Sequence, residues 1–352
     1  MSKKLHRMQL PREVIVGEGV LEFVGEVCKK LGFSESALVV AGPTTWEAAG
    51  RRVFELLNDA GVNANYLVVS SSMIKNVEEV ERKIKELKPQ VTLGVGGGTK
   101  IDVTKLGSAR QKVPFVSVPT TASHDGIASS LASIKGLQKP YSSVAQAPMA
   151  IIADTCIITE AEHRFTASGC GDVLAKFTAV RDWNLARREK NEYYGEYAAS
   201  LALMSAKLVR KNAALIKPGN GEGVRVLLEA LISCGVAMSI AGSSRPGSGS
   251  EHLFSHALDM IAPKPAMHGE QCGVGTIMMA YLHSVDWKRI KKTLQKVGAP
   301  TTAEELGIEP EYIVKGLVQA RSIRPERYTI LNKRRLTYDS AKELAKATEV
   351  ID

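Results

Sequence analysis

Short runs of consecutive apolar residues recur through the first 150 residues of the chain and predict buried strands. These runs are 37–41, 66–69, 91–95 and 115–118. Helical patterns separate them, and residues 46–60 form the first predicted helix. Strands that are apolar on both faces and alternate with helices are typical of a parallel sheet covered by helices on both sides. The pattern therefore predicts an α/β N-terminal domain with a parallel sheet.

A second helix is predicted between the strands at 66–69 and 91–95. Asn76 can cap its first turn, with Glu79 three residues later as the capping-box partner. Apolar residues then recur at helical spacing, so one face of this helix is expected to pack on the sheet. The stripe consists of Val77, Val80, Ile84 and Leu87.

Long helical patterns replace this alternation from about residue 160 onward. The clearest are 197–214 and 224–241, with a turn at 219–223 between them. The segment 242–250, GSSRPGSGS, is short enough to be a loop between helices. We therefore predict a boundary near 154–159, with an α/β domain at 1–159 and an all-helical domain at 160–352.

Composition and charge narrow the class of partner. A net charge of +9 favours anions, which include nucleic acid, a membrane surface and phosphorylated metabolites. Aromatic residues make up 5% of the chain, and no Lys/Arg tract is interleaved with them. A nucleic-acid surface therefore has weak support. We expect a small phosphorylated molecule as the substrate and no nucleic-acid partner.

The sequence also bears on location. The charged N-terminus is not followed by an apolar segment of the kind found in secretory signals, and no run of ~18 apolar residues predicts an integral membrane segment. Five cysteines are scattered without a CxxC pair, which suits reduced thiols. We therefore expect a cytoplasmic protein.

Two polar segments follow neighbouring predicted strands and indicate a dinucleotide site. Residues 92–105, TLGVGGGTKIDVTK, combine a strand, three glycines and a helix start, where a pyrophosphate could approach the backbone. The spacing is neither GxGxxG nor GxxxxGK[ST], so a tight strand–helix turn is the alternative. Residues 119–130, PTTASHDGIASS, should face the same crevice. The predicted cofactor residues here are Gly96, Gly97, Gly98, Thr99, Lys100, Asp102, Thr120, Thr121 and Ser123.

Asp102 has two interpretations, since it could contact the nicotinamide or substrate end, but a carboxylate in a first helical turn is also favoured by the helix dipole.

The ends of the first two predicted strands bear on the choice between NAD and NADP. Gly42 follows the one and serines 70–72 follow the other, so neither ends on an Asp or Glu. Such a carboxylate would hold a ribose hydroxyl and repel a 2′-phosphate. We therefore expect both NAD and NADP to be accepted.

Three of the seven histidines lie between residues 250 and 275. His252 and His256 share one face of a predicted helix, and His268 follows a loop broken by Pro263 and Pro265. Imidazole is a common metal ligand, so the cluster raises a metal site. An ordinary packed or surface pair is the alternative, because the stretch lacks the HExxH glutamate. A metal site would need a further ligand, such as a carboxylate, from elsewhere.

Four motifs occur in a specific order along the chain. GGGTKID (96–102), PTTASHDGIAS (119–129), GCGDVLAK (169–176) and the histidine stretch resemble the sn-glycerol-1-phosphate dehydrogenase family. That family belongs to the superfamily of iron-containing alcohol dehydrogenase, glycerol dehydrogenase and dehydroquinate synthase. The resemblance is collinear from LPREVIVGEGVL (10–21) into the helical half, without a departure at the motif positions.

The resemblance implies a dehydroquinate synthase-like fold, with a dinucleotide-binding domain at 1–159 and a metal- and substrate-binding domain at 160–352. It implies Asp172, His252 and His268 as metal ligands. Asp125, Asp172 and His256 would contact the substrate and act in catalysis, and Ser129 would contact the cofactor. Asp172 is expected at the start of a helix, where a plain N-cap is its ordinary role. Zn²⁺ is expected, although this ligand set also suits Fe²⁺.

The activity implied by the resemblance is zinc-assisted reduction of dihydroxyacetone phosphate to sn-glycerol 1-phosphate with NAD(P)H, for archaeal-type membrane phospholipids. A homo-oligomer is expected. Alternatives are a glycerol dehydrogenase acting on an unphosphorylated polyol, a dehydroquinate synthase, or a non-catalytic nucleotide-binding protein. The residues that would hold the substrate phosphate are not identified by the pattern, and Lys264, in the loop before His268, is one candidate.

Overall fold

A parallel sheet forms the centre of the N-terminal half of the protein. The computed structural model describes residues 8–71, 73–134 and 142–352. Its strands are β1 (Glu13–Gly17), β2 (Ser36–Ala41), β3 (Asn63–Val68), β4 (Val91–Gly96), β5 (Phe115–Pro119), β6 (Leu131–Ser133), β7 (Ser142–Val144) and β8 (Ala150–Asp154). Six of them pair in the order β1-β8-β5-β4-β2-β3, and every neighbouring pair is parallel. β6 and β7 form a separate antiparallel pair.

The four predicted strands are confirmed, with β3 beginning three residues before the predicted start at 66. The strands β1 and β8, which pair with each other at one side of the sheet, were not predicted, nor was the pair β6–β7. Each of β1 and β8 contains five residues.

Helices cover both faces of this sheet. Those of the N-terminal half are α1 (Val24–Lys30), α2 (Pro43–Thr45), α3 (Arg51–Asp59), α4 (Ile74–Leu87) and α5 (Gly98–Gln111), with 3₁₀ turns at Val20–Phe23 and Asp125–Ile127. Alternate residues of β2 point to opposite faces. Val39 packs in one apolar cluster with residues of α1 and α3, whereas Leu38 and Val40 pack with residues of α4 and α5. The fold class predicted from the continuous apolar strands is confirmed.

The predicted helix at 46–60 begins earlier and is irregular. It comprises α2, a π-helical turn at Trp46–Gly50 and α3. Thr45 Oγ1 donates to the carbonyl of Val95 at 3.0 Å, which ties the start of this helix to the end of β4. The irregular helix therefore starts beside the carboxyl edge of the sheet.

The predicted cap of the second helix is wrong, although its apolar stripe is confirmed. α4 begins at Ile74 and its cap residue is Met73, so Asn76 lies inside the first turn. The Asn76 side chain is buried, and its polar atoms are satisfied there: it accepts a hydrogen bond from Ser71 Oγ at 2.6 Å and donates to Glu79 at 3.3 Å. A bond to a side chain of the preceding loop replaces the bond to the backbone that the sequence predicts.

Helices make up the rest of the chain after β8. They are α6 (Thr155–Glu160), α7 (His163–Leu174), α8 (Lys176–Lys190), α9 (Glu196–Asn212), α10 (Gly221–Ala241), α11 (Ser250–Ile261), α12 (His268–Leu282), α13 (Trp287–Lys296), α14 (Ala303–Leu306), α15 (Pro310–Ile323), α16 (Ile330–Arg334) and α17 (Tyr338–Ala347). The predictions at 197–214 and 224–241 correspond to α9 and α10. The division into domains at residue 159 stays a prediction.

α10 is long and apolar enough to span a membrane by length and composition, with a mean hydropathy of 1.8. It is the one such helix in the described ranges. Two thirds of its most apolar window is buried inside the protein, against α9 and α7 among others. That burial is typical of the core helix of a folded domain.

Candidate active site

A cleft lies between the carboxyl edge of the sheet and the helical half, with a cavity of about 460 Å³. β4 and β5 are neighbours, and Thr120 N donates to the carbonyl of Gly96 at 3.1 Å, so the loops after both strands meet here as predicted. The lining residues include seven of the ten predicted cofactor residues: Gly97, Gly98, Thr99, Asp102, Thr121, Ser123 and Ser129. Gly96, Lys100 and Thr120 are not among the lining residues.

The glycine turn adds no side chain of its own at the N-terminus of α5. Gly97 is the cap residue and Gly98 the first residue of this 14-residue helix. A Cβ on Gly98 would lie 1.5 Å from Nε2 of His124, so only glycine allows the imidazole to cross the turn. His124 Nδ1 accepts from Gly126 N at 2.8 Å, which fixes the ring. The helix therefore presents its backbone N–H groups to the cleft, as a phosphate group requires.

Lys100 and Asp102, in the first turns of α5, connect the glycine turn to neighbouring segments. The Lys100 stem packs on the backbone, since a Cβ on Gly42 would lie 2.4 Å from its Cε. Burial lowers the pKa of Lys100. Asp102 accepts from Lys105 Nζ at 3.1 Å and from Ser133 N at 2.9 Å. Its carboxylate therefore joins α5 to β6 and also lines the cavity.

Lys105 is a fully buried lysine that the sequence reading missed. Besides Asp102, it donates to the carbonyls of Gly126 at 2.6 Å and Leu131 at 2.7 Å. The ammonium group thus binds the loop after β5 to the helix of the glycine turn. Its spacing from Asp102, three residues along a helix, was the available signal.

His252 and His268 lie together at the helical side of the cleft, and Asp172 lies beside His252. Within the described residues, Asp172 is outside the two groups of potential metal ligands whose atoms lie within 4.8 Å of one another. His252 lies on α11, His268 begins α12 and Asp172 lies on α7. The two imidazole rings are 4.9 Å apart between centroids, and Asp172 Oδ1 is 3.5 Å from His252 Nε2. His252 and His268 line the cavity, whereas Asp172 is 1% exposed and lies behind them.

Neighbouring side chains orient both imidazoles. Glu251 Oε1 accepts from His252 Nδ1 at 2.9 Å, so Nε2 of that ring faces Asp172. Ser255 Oγ lies 3.2 Å from His268 Nδ1, and so leaves the Nε2 nitrogen for another partner. Holding the outer nitrogen of a histidine in this way is common around metal sites, where it fixes the ring and raises its basicity. The arrangement therefore fits a metal ion.

Electrostatics distinguish the two histidines. Burial, together with the charge of His252, lowers the pKa of His268 to about 3, so this ring is neutral and has a lone pair to offer. Burial alone would lower the pKa of His252, but Cys272, Asp172 and Glu251 raise it well above its usual value. A metal ion bound here would therefore replace a proton on that ring.

Cys272 is a rival donor beside the two histidines. Its sulfur is 3.6 Å from His268 Nε2, and its ligand atom and those of His252 and His268 all lie within 4.8 Å of one another. Burial raises the pKa of this thiol, although His252 opposes the shift. His268 also groups with His256 and Asp259 at the same separation.

The predicted helix position of Asp172 is wrong. It lies in the last turn of α7 rather than at a helix start, because the helix already begins at His163. Gly171 explains how α7 reaches the histidines, since a Cβ there would lie 2.1 Å from the carbonyl of Gly269 on α12. Contact between the two backbones brings Asp172 and His268 to the same side of the cleft.

A buried ion-pair network lies directly behind the proposed ligands. Lys176 Nζ lies 2.7 Å from Asp172 Oδ1 and 2.8 Å from Asp125 Oδ2, and its side chain has no exposed surface. The other oxygen of Asp172 accepts from the backbone N–H of Asp125 at 2.8 Å. Lys176 therefore joins the loop after β5 to α7, and its position four residues after Asp172 in GCGDVLAK was the signal available.

These contacts shift the pKa values of Asp125 and Asp172 in opposite directions. Burial and the charge of Asp172 raise the pKa of Asp125. Burial pushes the pKa of Asp172 in the same direction, but Lys176 and His252 outweigh it and hold that pKa well below its usual range. Asp172 is the carboxylate that stays ionised, as a metal ligand must be.

His256 and Asp125 both line the cavity, as the substrate-facing residues were predicted to do. His256 stacks on His268 with ring centroids 5.8 Å apart, and its Nδ1 lies 3.8 Å from Asp259 Oδ2. Burial lowers the pKa of His256 despite Asp259, so the ring is neutral near pH 7. Lys264, the candidate for the substrate phosphate, is exposed and lies outside the cavity lining.

Comparison with known proteins places the chain among its relatives. The family model for iron-containing alcohol dehydrogenase matches residues 15–161. A relative from Methanosarcina mazei, named glycerol-1-phosphate dehydrogenase with NAD(P)+ in its name, is 55% identical over 98% of this chain and 97% of its own length. A relative of the same name from Pyrococcus furiosus is 56% identical over 99% of this chain and 100% of its own.

Solved structures agree in fold. Glycerol dehydrogenase from Schizosaccharomyces pombe superimposes with a TM-score of 0.82 at 23% identity, over 99% of this chain and 91% of that one. Sulfoacetaldehyde reductase from Bifidobacterium kashiwanohense, in complex with NAD+, gives 0.76 at 17% identity, over 99% and 100%. These two show the fold alone, whereas the identity to the archaeal relatives extends along nearly the whole sequence. The chain belongs to the glycerol-1-phosphate dehydrogenase family, within the iron-containing alcohol dehydrogenase superfamily.

Proposed function

We propose that this protein catalyses the NAD(P)H-dependent reduction of dihydroxyacetone phosphate to sn-glycerol 1-phosphate, which supplies the backbone of archaeal-type membrane phospholipids. The observation that carries this proposal is the identity of 53–56% to relatives named for that activity. The cleft supports it, because it combines the glycine turn at the N-terminus of α5 with a cluster of His and Asp. A non-catalytic nucleotide-binding protein would have no need of that cluster.

The proposed cofactor site is the glycine turn together with the loop after β5. β2 ends at Ala41 and is followed by Gly42, while β3 ends at Val68 and is followed by Val69 and Ser70. Without an acidic residue at either strand end, no carboxylate there repels a 2′-phosphate. Both NADH and NADPH should therefore support turnover.

The proposed metal ligands are Asp172, His252 and His268, with Zn²⁺ as the preferred ion and Fe²⁺ as the alternative. The donor set fits, since Glu251 and Ser255 orient the rings and Asp172 stays ionised. When bound, such an ion would supply Lewis-acid polarisation of the substrate carbonyl. Lys176 holds the Asp172 and Asp125 carboxylates at fixed positions.

Asp125 and His256 are proposed to contact the reacting end of the substrate. Hydride transfer from C4 of the nicotinamide to the carbonyl carbon leaves the carbonyl oxygen in need of one proton. Asp125, whose pKa is raised, lines the cavity and can hold that proton, whereas the neutral His256 lines it as a hydrogen-bonding group for the substrate. Their conservative variants should therefore lower kcat more than they lower nucleotide affinity.

The activity is tested by assaying dihydroxyacetone phosphate with NADPH and with NADH, followed by chiral analysis of the glycerol phosphate formed. We expect sn-glycerol 1-phosphate from both cofactors. Preference for unphosphorylated dihydroxyacetone would favour a glycerol dehydrogenase instead. Absence of turnover with nucleotide and metal bound would favour the non-catalytic alternative.

The ligand set is tested by metal content. Asp172→Asn and His268→Ala should each lower metal affinity in a chelator competition, and Cys272→Ser is the matched control beside the same ring. If Asp172→Asn binds the metal normally and Cys272→Ser does not, the third ligand is Cys272 rather than Asp172. Zinc and iron are distinguished by elemental analysis of protein purified without added metal.

The proposal also includes a cytoplasmic homo-oligomer. Tyr197, Met204 and Leu208 lie on one face of α9 and are 71%, 50% and 43% exposed. Contiguous apolar residues on a surface helix are typical of an interface. Light scattering on the intact protein and on Leu208→Lys tests this, and a monomeric wild type would contradict it.

A further inference from the structure

The loop between α10 and α11 is the least ordinary segment near the cleft. Residues 243–249, SSRPGSG, connect two helices, yet Ser244, Arg245 and Ser248 are 8%, 5% and 9% exposed. Connecting loops usually run over the surface, because buried backbone groups are hard to satisfy. None of the four motifs on which the resemblance rests covers this segment, so its burial needs another explanation.

This loop forms one wall of the cavity. Ser244, Gly247 and Ser248 line it together with Asp125 and His256. Gly247 approaches the reacting end closely, since a Cβ there would lie 3.4 Å from Asp125 Oδ2. A group held by these serines would therefore lie next to the proposed reaction centre.

Arg327 supports the loop from behind. Its guanidinium donates to the carbonyl of Ser248 at 2.6 Å and to Ser244 Oγ at 2.7 Å. Because Ser244 Oγ accepts from the arginine, its own hydroxyl proton is left to donate to another acceptor. The Arg327 side chain thus polarises a hydroxyl that faces the cavity.

Positive charge is in excess at this wall. Arg245 is paired with Glu192, but within the described residues no acidic side chain lies within ion-pair distance of Arg327. Burial and the charges of Arg324 and Arg245 lower the pKa of Arg327 to about 9, although Glu192 and Glu251 oppose this. A dianion in the cavity would contact Ser244 and Ser248, with the charge of Arg327 directly behind them.

We infer that Ser244 and Ser248 bind the phosphate group of the substrate and that Arg327 positions them and supplies the positive charge. The inference rests on the proposed function, because it assigns the phosphoryl end of the triose phosphate to a specific wall. The carbonyl end then faces Asp125 and His256 across the same cavity. Lys264, exposed on the loop before α12, has no part in this subsite.

The test compares a phosphorylated with an unphosphorylated substrate. In Ser244→Ala, kcat/KM for dihydroxyacetone phosphate should fall roughly 10- to 100-fold, the range for losing a hydrogen bond to a charged group. The values for dihydroxyacetone and the KM for NADPH should not change. Lys264→Met is the matched control and should leave all three values unaltered.

Arg327→Met removes both the charge and the two hydrogen bonds to the loop. Arg327→Lys keeps the charge and loses the paired hydrogen bonds, so it tests the positioning role even if Arg327→Met fails to fold. It should raise KM for dihydroxyacetone phosphate with kcat largely retained. Inorganic phosphate should inhibit the wild type competitively against that substrate and inhibit Ser244→Ala less. An unchanged ratio between the two substrates in both variants would overturn the inference.

Failure of the inference can be told apart from failure of the proposed function. If the wild type reduces dihydroxyacetone phosphate and the variants do so equally well, the activity stands and the subsite is wrong. If the wild type does not reduce it, the activity is wrong. The subsite then stands only if inorganic phosphate raises the unfolding temperature of the wild type and not that of Ser244→Ala.

Discussion

Gly269→Ala should disrupt the proposed metal site although the glycine carries no functional group. A Cβ at position 269 would lie 1.9 Å from the carbonyl of Ser168 on α7, and one on Gly171 would lie 2.1 Å from the carbonyl of Gly269. Each glycine adjoins a proposed ligand, His268 in one case and Asp172 in the other. The contacted atoms belong to the backbone, so no side chain can rotate away.

The size of the effect follows from the distances. Ordinary contacts begin near 3.4 Å, so α7 and α12 would have to separate by about 1.5 Å at this point. Overpacking of this kind costs ~1–3 kcal/mol of stability. A displacement of ~1 Å at a catalytic constellation can cost ~100-fold in rate. Metal affinity should fall as well, because the two helices carry different ligands.

The assay combines three measurements on Gly269→Ala: kcat/KM for dihydroxyacetone phosphate, metal affinity by chelator competition and the free energy of unfolding in urea. Gly221→Ala is the matched control, since its Cβ would meet the nearest side-chain atoms at 3.8 Å and 3.9 Å. The control should match the wild type in all three. A folded Gly269→Ala with wild-type metal affinity and rate would refute the reasoning.

Three further predictions concern buried groups. Lys176→Met removes the counter-charge of two buried carboxylates, and should lower the free energy of unfolding by ~3–5 kcal/mol, which the double variant with Asp125→Asn partly restores. Gly98→Ala drives a Cβ into the His124 ring and should raise the Kd for NADPH at least roughly tenfold, measured by fluorescence titration. Asp182→Ala leaves donors from α11 and from the end of α12 without an acceptor, and should cost ~3 kcal/mol or more in urea unfolding.

Each of these has a result that would contradict it. Equal stability of Lys176→Met and the wild type would mean that the carboxylates are neutral or solvated in the folded protein. Normal NADPH affinity in Gly98→Ala would move the cofactor away from the start of α5. Asp182 also accepts from Ile330 N at 2.7 Å, so retained stability in Asp182→Ala would require water to satisfy three separate segments.

Local patterns determined much of this protein. Buried strands of a parallel sheet must be apolar on both faces, so the runs at 37–41 and 91–95 indicated the fold class directly. The glycine turn needed no tertiary information either, because a strand followed by Gly96, Gly97 and Gly98 is a local feature. The order of four motifs resembles a known family and thereby predicted three metal ligands, Asp172, His252 and His268. Their role as ligands stays a proposal.

The tertiary structure decided how distant segments support the site. Lys176 lies between Asp125 and Asp172, and Arg327 holds Ser244, which is 83 residues away in sequence. The Lys176–Asp172 pair has helical spacing, but the pairs Lys176–Asp125 and Arg327–Ser244 have no periodic signal, because they depend on which way a side chain points after helices pack.

The two local errors have different origins. Asn76 bonds to a loop side chain instead of capping its helix. Asp172 lies near the end of α7 because the helix starts earlier than the motif suggests. Sequence determined which residue types are present and which segments are apolar. The packing of α7 on α12 and of the 243–249 loop on Arg327 determined where those residues meet, because hydrogen bonds and backbone contacts between distant segments form only once the chain has folded.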